Sequence, residues 1–310
     1  MPDPVDLVAA LEAVLRLPRA AQPAGVRDLR DRLPTSADEP WNSAFGDRSL
    51  YQAFARGTVA QGVHQANRAV LRRLLDARPQ FRVVEVGGGD GSLWRGLLGP
   101  ADVGEIVVVD PHADGALGVR AHVPPGVQVH HVQAPVQDVQ LPEADAVVCS
   151  LVLHHVAGAD AGQRASVALP GPGKLEVLGA FRASVQARDG RVLLNEADVY
   201  CDIGLLPGDP LLTERLLDSY VRRCATSLAA DIATRRDVEP GVRARWGTII
   251  RDWCLGQVDL AANAPIAERD VYELDVLSWL ALLDRAGLEV ESRTFTDPWL
   301  LFHQYVLSAR

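Results

Sequence analysis

The sequence predicts an α/β fold built on a mostly parallel sheet with helices on both faces. Five short, valine-rich apolar runs lie between residues 81 and 197, and each ends in polar or small residues. They alternate with stretches that are helical or are interrupted by glycine and proline. Strands buried on both faces carry apolar residues at successive positions, so this alternation indicates a parallel sheet covered by helices on each side.

The segment before the first strand, residues 1–80, predicts only helices. Asp3 and Pro4 suit the first two positions of a helix, and apolar residues follow at helical spacing. A break rich in proline and aspartate at 33–40 separates this helix from a second helical stretch at 49–77. We expect residues 1–80 to form a helical extension that caps the sheet.

The strand segments of the core can be read directly from the sequence. The five core segments are FRVVEV, EIVVVD, VQVHHV, ADAVVCS and GRVLLNEA, and LEVESRTF and LFHQYVLS follow near the C-terminus. Residues 201–268 interrupt the alternation with further helices, the first of which opens at Asp209 and Pro210. The pattern therefore predicts a seven-stranded core at 81–200 and 269–310, with a helical extension before it and a helical insertion at 201–268 before its last helix.

Composition excludes several classes of function. The 310 residues are 48% hydrophobic and carry a net charge of -9, without a basic block, so the chain is neither disordered nor suited to a phosphate backbone. No run of eighteen apolar residues occurs, and the N-terminus lacks the basic start of a secretory signal, so we expect a cytoplasmic protein without a membrane partner. The four cysteines form no CxxC pair and the histidines have no ligand spacing, which predicts free thiols and no metal site.

A turn of four glycines follows the first strand, in the sequence Val86-Gly-Gly-Gly-Asp-Gly91, and we expect a helix directly after it. Glycines allow the backbone to approach a ligand at the carboxyl end of a strand. Asp110 ends the next strand, nineteen residues beyond Gly91, and an acid there can accept hydrogen bonds from both hydroxyls of a ribose. The two features together predict a cofactor that contains a nucleoside.

The residues around the turn favour one cofactor over another. A dinucleotide-binding turn would place its third glycine where this chain has Ser92. Glu85, two residues before the first glycine, would repel a pyrophosphate but would attract a ligand that carries an ammonium and a sulfonium. These residues favour S-adenosylmethionine (SAM) over NAD.

Over about 81–197 and 272–307 the chain resembles the class I (Rossmann-fold) SAM-dependent methyltransferases. The likeness rests on the glycine turn, on Asp110 as the ribose acid, on the fourth and fifth strands and on a closing hairpin. The GGGDG turn followed by Asp110-Pro111 is similar to that of small-molecule O-methyltransferases. The resemblance implies methyl transfer from SAM to a small molecule of specialised (natural-product) metabolism, with S-adenosylhomocysteine as product and oxygen favoured over carbon or nitrogen as acceptor.

The resemblance also implies a cofactor site. Many family members have an acid after the third strand that binds adenine, whereas this chain has Gln133, so we expect backbone groups nearby, or Asp138, to replace it. An aromatic residue of the extension is expected to close over the cofactor. The predicted cofactor residues are Glu85, Gly87, Gly88, Gly89, Asp110, Pro111, Ala134, Pro135, Val136, Ser150, Leu151 and Tyr51.

Catalytic and substrate-binding candidates lie beyond the fourth and fifth strands. His154 or His155 could accept a proton from a hydroxyl or amine, although a structural role is the alternative. Glu196 and Asp198 follow the fifth strand and could hold a substrate or cap a turn. Tyr220 and Arg223 lie in the insertion, where an arginine could bind a carboxylate or simply face solvent.

Two other functions share these motifs. One is a SAM-binding protein that does not methylate, such as a cyclase, a decarboxylase or a binding module. The other is a nicotinamide-dependent oxidoreductase, which Glu85 and Ser92 disfavour. We further expect that the apolar helical extension could pair two copies of the chain as a homodimer.

Overall fold

The computed structural model describes residues 4–32, 48–78, 80–156, 171–197, 210–218, 231, 235–246, 274, 276–298 and 300–310. The chain divides into two compact units. A helical unit comprises Met1–Ala60, Ala159–Pro170 and Asp198–Asp275, and a sheet unit comprises Gln61–Gly158, Gly171–Ala197 and Val276–Arg310.

The sheet unit contains seven strands in the order β3-β2-β1-β4-β5-β7-β6. Their bounds are β1 Phe81–Val86, β2 Gly104–Val109, β3 Val127–Val132, β4 Ala146–Ser150, β5 Arg191–Ala197, β6 Leu288–Phe295 and β7 Phe302–Ala309. The first five strands are parallel, and β7 runs antiparallel to both β5 and β6. The predicted seven-stranded, mostly parallel sheet is thereby confirmed.

Among the described residues, eight α-helices have defined bounds and are numbered in chain order. They are α1 Pro4–Leu15, α2 Gln22–Arg32, α3 Arg48–Ala55, α4 Thr58–Asp76, α5 Leu117–Arg120, α6 Gly171–Gln186, α7 Pro210–Leu216 and α8 Val276–Arg285. Helix α4 begins in the helical unit and continues into the sheet unit from Gln61. There its apolar side forms one core cluster with β1, β2 and β4, in which Val70, Leu71 and Trp94 are buried. Helix α6 contacts β4, β5 and β7.

The structure differs from prediction immediately after the glycine turn. The predicted helix is only a 3-10 turn, Ser92–Trp94. Gly96 adopts φ +68°, a left-handed conformation that does not continue a helix, and Gly99-Pro100 follows within a few residues. The local sequence therefore ends the helix after one turn.

The predicted helical stretch at 49–77 is likewise divided, into α3 and α4. Gly57 stands at the break, where an added Cβ atom would lie 2.6 Å from a carboxylate oxygen of Asp231. That carboxylate accepts hydrogen bonds from the backbone N–H of Thr58 at 2.9 Å and from its hydroxyl at 2.5 Å. Asp231 thus caps the start of α4 and satisfies an N–H group that no helical carbonyl can reach.

Within the helical unit, side-chain contacts join segments far apart in sequence. The indole of Trp246 donates a 2.9 Å hydrogen bond to the carbonyl of Leu50, and Arg19 pairs with Glu214. Of the predicted insertion, the structure describes the helical residues 210–216 and 240–246, while most of the remainder lies outside the described residues. None of the described helices is both long and apolar enough to cross a membrane.

Candidate active site

The glycine turn after β1 packs backbone against backbone. Gly87, Gly89 and Gly91 have φ angles of +79°, +52° and +72°, which side chains disfavour. A Cβ atom on Gly91 would lie 2.2 Å from the carbonyl carbon of Gly118, and one on Gly88 would lie 2.3 Å from the carbonyl oxygen of Gly115. Only glycine fits both positions without movement of the 115–118 segment.

The side chain of Asp110 is hydrogen-bonded directly to this turn. Its Oδ2 accepts a 3.1 Å hydrogen bond from the backbone N–H of Gly88, and its Oδ1 accepts one of 2.9 Å from the N–H of His112. The residue is buried, and Gly115 packs against its side chain. Each carboxylate oxygen can accept a second hydrogen bond, so the geometry leaves Asp110 able to bind the two hydroxyls of a ribose.

Glu85 is a buried acid one residue before the end of β1. Its Oε2 accepts a 2.6 Å hydrogen bond from the indole N–H of Trp94. The pKa of Glu85 is raised to about 8, chiefly by burial; the hydrogen bond from Trp94 opposes this rise, and the negative charges of Asp110 and Asp90 add to it. A ligand ammonium would supply the positive charge that stabilises the ionised carboxylate. The two acids, Glu85 and Asp110, fit SAM, which carries an ammonium group together with a ribose.

Beyond β4, a buried carboxylate holds a histidine. Oε2 of Glu196 lies 3.0 Å from Nδ1 of His154, and Oε1 accepts hydrogen bonds from the backbone N–H groups of Val152 at 3.2 Å and Leu153 at 2.7 Å. Glu196 is only 1% exposed. A carboxylate at Nδ1 favours the tautomer whose proton is on Nδ1, so Nε2 carries the lone pair that can accept a proton.

The two predicted catalytic histidines have different surroundings. Both belong to the 3-10 turn Leu153–His155, and their ring centroids lie 4.2 Å apart. His154 is partly buried beside Glu196, whereas His155 is exposed. His154 is therefore the better candidate for a base.

The backbone between β4 and this turn adopts a strained conformation. Leu151 has φ +57°, which costs a non-glycine residue about 1–3 kcal/mol. Its N–H donates a 2.8 Å hydrogen bond to the carbonyl of Asn195 on β5. Such a conformation persists only where the surrounding contacts determine it, and it turns the chain toward His154.

Several residues of the site were not predicted from the sequence. The sequence did not identify Trp94 as the partner of Glu85. It also did not identify two side chains of α4, Arg68 and Asn67, as part of the site. Arg68 donates a 2.8 Å hydrogen bond to the carbonyl of Leu93 and another to that of Ser92, and so holds the 3-10 turn after the glycines. Asn67 donates a 3.0 Å hydrogen bond to Oγ of Ser150. The available signal was a polar residue, Asn67, on the apolar side of an otherwise amphipathic helix.

The structure brings part of the predicted site together in the sheet unit. Residues at or just beyond the carboxyl ends of β1, β2, β4 and β5 meet at one edge of a parallel sheet, where open α/β sheets bind ligands. They are Glu85, Gly87, Gly88, Gly89, Asp110, Ser150, Leu151, His154 and Glu196.

The residues predicted to bind adenine follow β3, the strand next to β2. Ala134, Pro135 and Val136 follow β3, and Val136 begins the 3-10 turn Val136–Asp138. The side chain of Gln133 reaches the carbonyl of Pro111 at 3.4 Å, which links the segments after β2 and β3. Their contact with adenine stays a prediction.

The remaining candidates belong to the helical unit or are not described. Tyr51 lies on α3, and its predicted role at the cofactor stays a prediction. Asp198, Tyr220 and Arg223 lie outside the described residues. Within the part of the chain that the structure describes, no group of three or more histidine, cysteine or acidic side chains could hold a metal ion.

The strand order, the antiparallel β7 and the acids around the glycine turn agree with the fold and site expected from the resemblance to class I SAM-dependent methyltransferases. A family model described as a methyltransferase domain matches residues 84–167, which include the glycine turn, Asp110 and His154. Residues 84–167 therefore match a methyltransferase domain, a class whose cofactor is SAM.

Solved structures show similarity over most of this chain. The pyocyanin biosynthetic protein PhzM is 17% identical, with a TM-score of 0.49 over 94% of this chain and 69% of its own. The mitomycin 7-O-methyltransferase MmcR is 16% identical, with a TM-score of 0.44 over 97% and 76%. The N,N-8-amino-8-demethyl-D-riboflavin dimethyltransferase RosA from Streptomyces davawensis is 15% identical, with a TM-score of 0.47 over 99% and 69%. No curated protein sequence matches the chain.

Proposed function

We propose that this protein transfers the methyl group of SAM to a hydroxyl oxygen of a small molecule, with His154 as the base. The observation that carries the proposal is the 3.0 Å contact between Nδ1 of His154 and the buried carboxylate of Glu196. His154 follows β4, which pairs with β1, the strand that leads into the glycine turn, and Glu196 lies near the end of the neighbouring β5. The predicted homodimer, cytoplasmic location and role in natural-product metabolism stay predictions.

The cofactor would be held by residues with different tasks. Asp110 would accept hydrogen bonds from the ribose, and Glu85 would face the ammonium. The glycine turn at 87–89 would let the backbone approach the cofactor closely. The backbone after β3 would serve adenine, and Ser150 and Leu151 would border the methionine end. When bound, SAM supplies a methyl group already activated by the sulfonium.

His154 would supply the proton transfer that an alcohol or phenol requires. Nε2 would take the proton of the acceptor hydroxyl, and the buried Glu196 carboxylate would stabilise the imidazolium that forms. A positioned base of this kind contributes about 10²–10⁴-fold to the rate. Glu196 would then be a positioning residue rather than the substrate ligand suggested by the sequence, which leaves that role to Asp198, Tyr220 and Arg223.

The test is transfer of an isotopic label from methyl-labelled SAM to a panel of phenols, alcohols, amines and carbon acids. We expect label in an O-methyl product, and a loss of kcat of about 10²-fold or more in His154→Gln with little change in SAM affinity. His155→Gln is the matched comparison and should lose much less. An acceptor that is converted without receiving the label would favour a non-methylating SAM enzyme, and full activity in His154→Gln would overturn the role of His154.

A further inference from the structure

A row of polar side chains crosses the apolar sheet next to the candidate site. Ser150 on β4 pairs in register with Asn195 on β5, which pairs with Gln304 on β7. Two residues earlier along β4, the corresponding row is Val148, Leu193 and Val306, all within the apolar core cluster. The change from apolar to polar therefore occurs at the carboxyl end of β4, where the chain leaves for His154.

Asn67 of α4 links the residues of this row by hydrogen bonds. Its Nδ2 donates a 3.0 Å hydrogen bond to Oγ of Ser150, and its Oδ1 accepts one of 2.7 Å from the amide of Gln304. The Ser150 hydroxyl in turn donates to Oδ1 of Asn195 at 3.0 Å. Asn67 and Asn195 are completely buried, and Gln304 is 4% exposed. Burying this many polar groups is unfavourable unless they are bonded to one another, so the row has a defined geometry.

The row is continuous with the segment that carries the histidine. Ser150 directly precedes Leu151, whose backbone is left-handed and whose N–H is bonded to Asn195. The following N–H groups and Nδ1 of His154 are bonded to Glu196, the residue after Asn195. The 151–154 segment is thus fixed from β5 by backbone and carboxylate contacts, and from α4 by the hydrogen bond between Asn67 and Ser150.

We propose that Asn67 is a positioning residue, which acts through Ser150 to hold the 151–154 segment and so the imidazole of His154. Asn67 has no part in the chemistry itself. The inference rests on the proposed function for its catalytic consequence, but the placement of His154 can be observed without turnover.

The test compares Asn67→Leu, which keeps a side chain of similar size but removes both hydrogen bonds, with Val70→Ala. Val70 lies about one helical turn away on α4, within the apolar cluster, so its truncation perturbs the same helix and removes no hydrogen bond of the polar row. The first readout is the pair of imidazole ¹⁵N resonances of His154, assigned with His154→Gln. We expect them to shift in Asn67→Leu and to stay in place in Val70→Ala.

The second readout is kinetic. Asn67→Leu should lower kcat about tenfold or more, because a small misplacement of a base is costly, while KM and the affinity for S-adenosylhomocysteine stay within about twofold. Val70→Ala should lower Tm with kcat almost unchanged. If Asn67→Leu lowers Tm but moves neither the resonances nor kcat, Asn67 is a packing residue and the inference is overturned.

Ser150→Ala keeps the test decisive if Asn67→Leu fails to fold. Because Asn67 acts through Ser150, this variant should shift the same resonances, and the double variant should be no worse than either single one. Additive losses of kcat would contradict the inference. If the wild type methylates none of the acceptors, the proposed function fails, yet a shift of the His154 resonances confined to the Asn67 and Ser150 variants would still support the positioning role.

Discussion

The indole N–H of Trp94 donates a 2.6 Å hydrogen bond to Oε2 of Glu85, and both side chains are buried. This contact ties the 3-10 turn after the glycines to the strand before them. It also leaves the acid without the positive charge that would favour its ionisation, because an indole is a neutral donor. The pKa of Glu85 therefore depends on whether a cation lies beside it.

Glu85 is expected to make the stability of the ligand-free protein depend on pH. Its pKa is raised from 4.5 to about 8. Below pH 4.5 the acid is protonated in the folded and the unfolded chain, and its contribution is fully present; as pH rises toward about 8, only the unfolded chain ionises and folding becomes less favourable. Relative to Glu85→Gln, wild-type unfolding free energy should fall by about 1.4 kcal/mol per pH unit in that window. Urea titrations from pH 5 to 8 measure it, and parallel pH profiles would contradict it.

Cofactor binding should release a proton from the same residue. At pH 7 the carboxyl of Glu85 is mostly protonated, and a ligand ammonium would lower its pKa. Calorimetric titrations with SAM in two buffers of different ionisation enthalpy should give different apparent enthalpies, with proton release to the buffer. In Glu85→Gln the difference should vanish. No buffer dependence in the wild type would mean that Glu85 does not respond to the cofactor.

Gly91 and Gly96 provide a matched pair of glycine substitutions. Both have positive φ, but a Cβ atom at Gly91 would strike the backbone of Gly118, whereas nothing lies within 4 Å of one at Gly96. Gly96→Ala should cost about 1–2 kcal/mol for its backbone conformation alone. Gly91→Ala should cost about 3 kcal/mol or more and should also weaken SAM binding, because the turn must move. Chemical denaturation and calorimetry measure both, and equal losses of stability would contradict the packing described.

Gly179 should behave in the opposite way. It lies inside α6, and an added Cβ atom would meet nothing within 4 Å. Gly179→Ala is expected to raise the unfolding free energy by about 0.5–1 kcal/mol, since alanine loses less conformational freedom in a helix. Urea denaturation tests this, and a loss of stability would show that the position is more crowded than the structure indicates.

The strands and the cofactor acids could be predicted because their signals are local. β1, β3 and β6 begin and end where the apolar runs do, and Asp110 follows its strand directly. The 3-10 turn after the glycines differs from the predicted helix, because the effect of Gly96 on the backbone depends on its φ angle.

The partners within the site could not be predicted in the same way. Trp94 meets Glu85 from nine residues away, but Asn67 meets Ser150 and Gln304 across 83 and 237 residues. Only the packing of α4 on the sheet brings these polar groups together. A buried asparagine within a helical pattern carries no local mark of the strand it will bind.

Calorimetric titration of the purified protein with SAM, S-adenosylhomocysteine and NADH tests whether the site binds SAM through Asp110. We predict binding of both sulfur nucleosides, no binding of NADH, and at least about a tenfold loss of affinity for the two nucleosides in Asp110→Ala, since that variant lacks the charged acceptors for the ribose. Binding of NADH alone, or unchanged affinity for SAM in Asp110→Ala, would contradict the assignment of the site.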